Sequence, residues 1–95
     1  MTEPTTFSIE RIAPHAESYL RRMPRHRQEA VGRAFDHLCN VSPFRHPNPT
    51  VIRPLKGKHK EQWRYRMGDI RIVYTVDRER RTIRVVAIDT RGDVY

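Results

Sequence analysis

Gln62-Trp63-Arg64-Tyr65-Arg66-Met67, then Gly68-Asp69, then Ile70-Arg71-Ile72-Val73-Tyr74-Thr75-Val76-Asp77 is the stretch on which the fold turns. Residues 62–67 alternate with the period of a strand. Trp63, Tyr65 and Met67 fall on one face, and Arg64 and Arg66 on the other. Gly68-Asp69 suits a tight hairpin connection, although Asp-Gly is the commoner order. Residues 70–77 are rich in β-branched types, as a second strand requires. If the two strands pair across Gly68-Asp69, Arg71 comes to lie close to Arg66.

Working outward, Asp77–Arg81 reads as a charged turn and Thr82–Ile88 as another β-branched strand. On the other side, Lys56-Gly57-Lys58-His59-Lys60 is a basic turn. Val51–Arg53 is a short strand that Pro54 stops, which implies an edge or a strand end. Val41–Thr50 holds Pro43, Pro47 and Pro49 and reads as a loop. Before it, Val31, Ala34, Phe35, Leu38 and Val41 form one apolar stripe on a helix from Arg25 to about Asn40. Ala16, Tyr19, Leu20 and Met23 follow Pro14 at helical spacing, and Pro24 separates the two helices. A short strand around Phe7 and Ile9 comes first. The expectation is one α+β domain over residues 1–95, with two N-terminal helices packed on a small, mainly antiparallel β-sheet.

The 95 residues carry 19 Lys+Arg against 11 Asp+Glu, a net charge of +8. Residues 1–50 hold seven basic and five acidic side chains. Residues 51–95 hold twelve and six, so most of the surplus lies in the sheet-forming half. A basic surplus on so small a chain asks for a polyanionic partner, with nucleic acid the default. Arg53, Lys56, Lys58, Lys60, Arg64, Arg66 and Arg71 crowd one run. Two readings of that run are open, a solvated basic face or a phosphate-binding surface. No stretch approaches a membrane span, and the first residues have neither the basic nor the apolar region of a signal peptide. A single cysteine, Cys39, cannot form an internal disulfide. A cytoplasmic protein is the simplest expectation.

The common catalytic signatures are missing. The four glycines are scattered, so no Gly-rich phosphate loop exists. The five histidines form no HxxxH or HxH pair, and no metal site or cofactor is expected. Arg64, Arg66 and Arg71 remain, gathered on neighbouring strands. Like charges so placed are destabilising unless an anion or acidic partner sits among them. Asp69, Asp77, Glu79 and Asp89 are the internal candidates.

The run Leu55-Lys56-Gly57, then Trp63-Arg64-Tyr65-Arg66-Met67-Gly68-Asp69-Ile70-Arg71-Ile72-Val73-Tyr74, then Ile88-Asp89-Thr90-Arg91-Gly92-Asp93-Val94-Tyr95 resembles the RelE branch of the RelE/ParE toxins of bacterial and archaeal toxin–antitoxin systems. The order strand, two helices, sheet agrees over nearly the whole chain. The resemblance implies the RelE-like toxin fold and an endoribonuclease that enters the ribosomal A site. There it cuts mRNA by metal-free 2′-OH attack on the adjacent phosphate. It implies a cognate antitoxin that covers or distorts the basic site, with the ribosome and mRNA as the other partners. Carried over by position, the catalytic set is Arg64, Arg66, Arg71, Arg91 and Tyr95. Lys56, Lys58, Lys60 and Arg53 are the RNA- and phosphate-binding residues around it.

The chemistry suits the side chains in part. Arginines stabilise charge that builds on nonbridging phosphate oxygens. Tyr95 is placed to orient or relay a proton, and an aromatic ring there, or Tyr65 if exposed, to stack on a splayed base. Two departures bear on proton transfer. RelE members often carry lysine where this chain has Arg64 and Arg66, and a guanidinium does not deprotonate in proteins. They also often carry histidine where this chain has Thr90. The alternative within the superfamily is a ParE-like toxin that inhibits DNA gyrase by protein binding without hydrolysis; a catalytically weak RNA-binding relative is a third reading.

Overall fold

The computed structural model describes residues 6–55 and 61–90. The basic turn at 56–60, with Lys56, Lys58, Lys60 and His59, and the tail at 91–95, with Arg91 and Tyr95, lie outside the described residues. In chain order the elements are β1 (Ser8–Ile12), α1 (Pro14–Arg21), α2 (Arg25–Asn40), β2 (Ile52–Leu55), β3 (Gln62–Met67), β4 (Ile70–Asp77) and β5 (Thr82–Thr90). The strands form one sheet in the order β1-β5-β4-β3-β2. Strands β2 to β5 are an antiparallel meander, and β1 joins the far edge parallel to β5. The parallel pair follows from the path of the chain, because β1 must return through both helices and the rest of the sheet before β5 is made. The fold is α+β, as expected.

The period-2 pattern sorts the sheet into two faces. Along β4, Ile70, Ile72, Tyr74 and Val76 are buried while Asp77 is exposed and Arg71, Val73 and Thr75 are half-buried. The buried set packs with Ile52, Tyr65, Ile83, Val85 and Ile88 from the other strands. The helices supply Ala16, Met23, Val31, Ala34 and Leu38 to the same core. Leu38 has no solvent exposure, and its truncation to alanine removes about 2–5 kcal/mol of transfer and packing energy. Proline at the first turn starts α1, and Pro24 precedes α2. Gln28 of α2 donates to the carbonyls of Arg21 and Met23, which satisfies acceptors left open where α1 ends.

Three boundaries differ from the sequence reading. Val41 sits just past the end of α2 and is 59% exposed, so it leaves the apolar stripe rather than extending it. Pro54 does not end β2. It lies within the strand, which is tolerated because β2 is a sheet edge with one neighbour, β3. Strand β5 continues past Ile88 to Thr90, and this brings Asp89 opposite Arg71.

Residues 41–50 have no regular structure, yet they are tightly held. Ser42 Oγ accepts from the N–H groups of Phe44 and Arg45. Asn48 Oδ1 accepts from the Thr50 N–H and hydroxyl. The Tyr74 hydroxyl, wholly buried at the sheet centre, donates to the Pro43 carbonyl at 2.6 Å. Burial first, and then the neighbouring Tyr65, pushes the Tyr74 phenol far above its ordinary pKa, so it remains a donor.

Candidate phosphate-binding face

The sheet face turned away from the helices collects the arginines. Arg53 of β2 stands directly opposite Arg64 of β3. Arg66 of β3 stands directly opposite Arg71 of β4. Three adjacent strands thus bring four guanidinium-bearing residues to one patch. Like charges directly opposed across strands are unfavourable, so this arrangement does not arise to stabilise the fold.

Each arginine has a distinct setting. Arg53 and Arg66 are exposed, and Arg64 and Arg71 half-buried. Arg64 Nη2 donates to the Thr50 carbonyl at 2.8 Å, which fixes the side chain against the sheet edge. Its Nε is buried and has no acceptor among the described residues. Burial lowers the Arg64 pKa, and the charges of Arg53, Arg66 and Arg71 lower it further. The same three neighbours, together with burial, therefore mark a site that disfavours one more positive charge. The group still remains protonated at neutral pH.

Asp89 is the carboxylate that answers this cluster. Arg71 Nε donates to Asp89 Oδ1 at 3.3 Å. Asp69 and Asp77 are engaged elsewhere. Asp69 pairs with Arg27 of α2 at 3.2 Å and ties the hairpin to the helix. Asp77 accepts from the Arg80 N–H in the β4–β5 turn. Among the described residues the patch gathers four arginines, with Asp89 paired to Arg71.

Of the residues picked out in the sequence, the structure gathers Arg53, Arg64, Arg66 and Arg71. Tyr65 does not join them. It points to the helix side and is 8% exposed, so it presents little ring to a base on the arginine face. Thr90 has its hydroxyl 2.9 Å from the Tyr19 hydroxyl and so ties the end of β5 to α1. Sequence reasoning missed the supporting role of Thr50 and the ring cluster of His37, His46 and Tyr65. The His37 and His46 rings lie 4.8 Å apart between centroids, and both contact the Tyr65 ring. The histidines of that cluster are nine residues apart on a helix and a loop, a spacing with no local signature.

Comparison with known proteins covers most of the chain. A family model described as the ParE toxin of the type II toxin–antitoxin system parDE matches residues 11–95. Among solved structures, the RelBE2 toxin–antitoxin complex of Mycobacterium tuberculosis contains a chain similar over 97% of this one and 98% of its own length, with 26% identity and a TM-score of 0.72. The archaeal RelE–RelB complex of Pyrococcus horikoshii OT3 gives a TM-score of 0.72 at 22% identity, covering 93% of this chain and 97% of that one. The RelB–RelE complex of Methanococcus jannaschii gives 0.65 at 21% identity, covering 88% and 93%. No curated protein sequence gives a significant match. No helix among the described residues is long and apolar enough to cross a membrane.

Proposed function

Since this chain belongs to the ParE toxin family of type II toxin–antitoxin systems, within the RelE/ParE superfamily, we propose that it is a toxin of the RNA-cleaving kind, an endoribonuclease acting on mRNA in the ribosomal A site. The observation that carries this reading is the set of four arginines on one sheet face, opposed pairwise in register and answered by Asp89. A protein that only docks on another protein has no need to gather four guanidinium-bearing residues on one sheet face. A scissile phosphate does.

The reaction follows from the geometry of the reactants. A ribose 2′-OH loses its proton and its oxygen attacks the adjacent phosphorus. The bond from phosphorus to the 5′ oxygen breaks, and that oxygen gains a proton. A 2′,3′-cyclic phosphate and a 5′-OH result. Charge grows on the nonbridging oxygens, where Arg64, Arg66 and Arg71 are rigidly presented by strands and need no reorganisation. Arg53 adds to the field that draws the RNA in. Arg91 and Tyr95 complete the catalytic set by position, with Tyr95 orienting or relaying a proton, and Lys56, Lys58 and Lys60 extend the RNA-binding surface. Arginine binds phosphate bidentately but does not act as a base. The proton transfers therefore fall to Tyr95 or to groups of the ribosome. A cognate antitoxin is the neutralising partner, as RelB is for the RelE chains in the similar complexes, and its acidic groups would meet the same arginines.

One observation favours a second reading: the matching family model is the one described for parDE. In that case the toxin blocks DNA gyrase by binding it. The two readings separate in one pair of assays. Primer extension on an mRNA under translation is expected to show cuts at codon positions that require ribosomes and vanish with Arg71→Ala. Intact mRNA together with blocked gyrase supercoiling would replace the nuclease reading with the gyrase one.

A further inference from the structure

Beside the arginine cluster, a cleft of about 550 Å³ opens where the 46–51 segment runs along the end of β3. Its walls include His46, Asn48, Thr50, Tyr65, Arg66 and Met67. We propose that this cleft is a nucleobase slot, which takes the base next to the phosphate held by the arginines. This rests on the RNA reading above and deepens it.

Four observations converge on the slot. The first is ring surface. His46 is half-buried, its ring set edge-to-face against Tyr65 at 5.8 Å and 83°. Tyr65, nearly buried, closes the floor, and His37 backs the His46 ring at 4.8 Å. A planar ring held rigidly at a cleft mouth is what an unstacked base requires. The second is continuity, because Arg66 belongs both to the cleft wall and to the phosphate-binding face. Thr50, also in the wall, receives the Arg64 guanidinium through its carbonyl.

The third is preorganisation. His46 Nδ1 accepts from the Asn48 N–H at 3.0 Å, while His37 Nε2 lies 2.8 Å from the Arg45 carbonyl and holds the preceding residue. The ring is thus positioned before any ligand arrives, so little ordering entropy remains to oppose binding. The fourth is donor chemistry. With Nδ1 accepting, the neutral His46 ring carries its proton on Nε2. Asn48 uses its oxygen on Thr50, which leaves its amide hydrogens as donors. With the Arg66 guanidinium, the mouth offers donors and suits the acceptor-bearing edge of a base.

The test uses the intact toxin and a short RNA with 2′-O-methyl at the cleavage position, carrying 2-aminopurine on one side of that phosphate or the other. A matched RNA with an abasic site at the same position is the control. His46→Ala is expected to abolish the fluorescence quench of one of the two labels and to weaken binding of the base-bearing RNA by roughly five- to hundredfold. Affinity for the abasic RNA stays the same, because the arginines hold the phosphate. Asn48→Ala, at an exposed loop position, gives a smaller loss in the same direction. Equal affinity of wild type and His46→Ala for the base-bearing RNA overturns the slot while leaving the nuclease reading intact. Absence of ribosome-dependent cuts by the wild-type toxin in the primer-extension assay overturns the nuclease reading itself. A melting curve for each variant shows that the fold persists.

Discussion

The open face of the sheet has two charged ends, and they are built on opposite principles. At the β4–β5 turn, Glu10 lies between Arg84 at 3.1 Å and Arg80 at 3.7 Å. Glu61 takes two hydrogen bonds from Arg78, at 3.1 and 2.7 Å, and Arg78 also stacks over the Phe44 ring at 4.0 Å. Asp77 and Glu79 line the same depression. Arg78, Arg80 and Arg84 there each have a carboxylate within 4 Å. At the other end Arg53, Arg64, Arg66 and Arg71 face one another, with Asp89 on Arg71. Strands β4 and β5 run through both ends, carrying Asp77 and Arg84 at one and Arg71 and Asp89 at the other. Local sequence periodicity therefore does not distinguish them; compensation does. The first end is paired within the fold; at the second, the proposed RNA phosphate is the ligand that would meet the arginines.

The largest expected effect separates the two ends by activity. Arg71→Ala should slow mRNA cleavage by about 10²- to 10³-fold, the usual cost of removing one group that stabilises transition-state charge. Arg84→Ala, an arginine of the balanced end, should leave the rate unchanged. Primer extension with quantified cut fractions reads both. Equal losses at both ends would mean that the cleavage site is not confined to the cluster.

A second, smaller effect concerns binding. Each phosphate contact to single-stranded RNA contributes a slope of about −0.7 in log K against log salt. Arg53→Ala should reduce the magnitude of the slope by about that amount, and Arg84→Ala should not alter it. Fluorescence anisotropy over a salt series, using an uncleavable RNA, measures the difference.

The acid limb of stability sharpens the comparison from the other side. Arg84 foremost, then Thr82 and Arg80, holds the Glu10 carboxyl below its ordinary value of 4.5, and Arg78 does the same for Glu61. A carboxylate whose pKa is lower folded than unfolded stabilises the protein above the unfolded value. That contribution fades as pH falls through the folded one. Stability should decline below about pH 4.5, and Glu61→Gln should flatten the decline by removing the titrating group. Melting temperatures between pH 7 and roughly pH 3 test this. Both carboxylates are largely solvated, so the change will be small.

Much of this contrast is legible in the sequence. The hairpin at Gly68-Asp69, with alternation on both sides, sets Arg66 against Arg71, because a tight turn leaves one register that keeps Ile70, Ile72 and Tyr74 inside. The Arg53–Arg64 pairing was not legible, since it depends on where β2 joins β3 across the basic turn at 56–60. Pro54 also argued for an early stop that an edge strand does not need. Asp89 was one of four candidate acids. Only the extension of β5 past Ile88 singles it out, and strand ends are weakly encoded. The His37–His46–Tyr65 cluster depends on tertiary packing of a proline-rich loop through the Tyr74–Pro43 hydrogen bond. Proline spacing predicts that such a segment is irregular, not where it is anchored.

The smallest expected effect is the most direct probe of frustration. If the arginines are held together at a cost, relieving the repulsion should stabilise the protein. Arg66 is exposed and opposite Arg71, so Arg66→Ala removes one like-charge pair with little packing. At low salt the gain should be about 0.3 kcal/mol, or roughly 1–3 °C in Tm. At about 1 M salt the Debye length falls to about 3 Å, and the gain should vanish. Scanning calorimetry of both proteins at two salt concentrations decides the matter. A stabilisation that persists at high salt would trace to backbone or packing changes instead. A loss of stability at low salt would mean that the four charges are better compensated than Asp89 alone accounts for, and the contrast between the two ends of the sheet would fail at its energetic root.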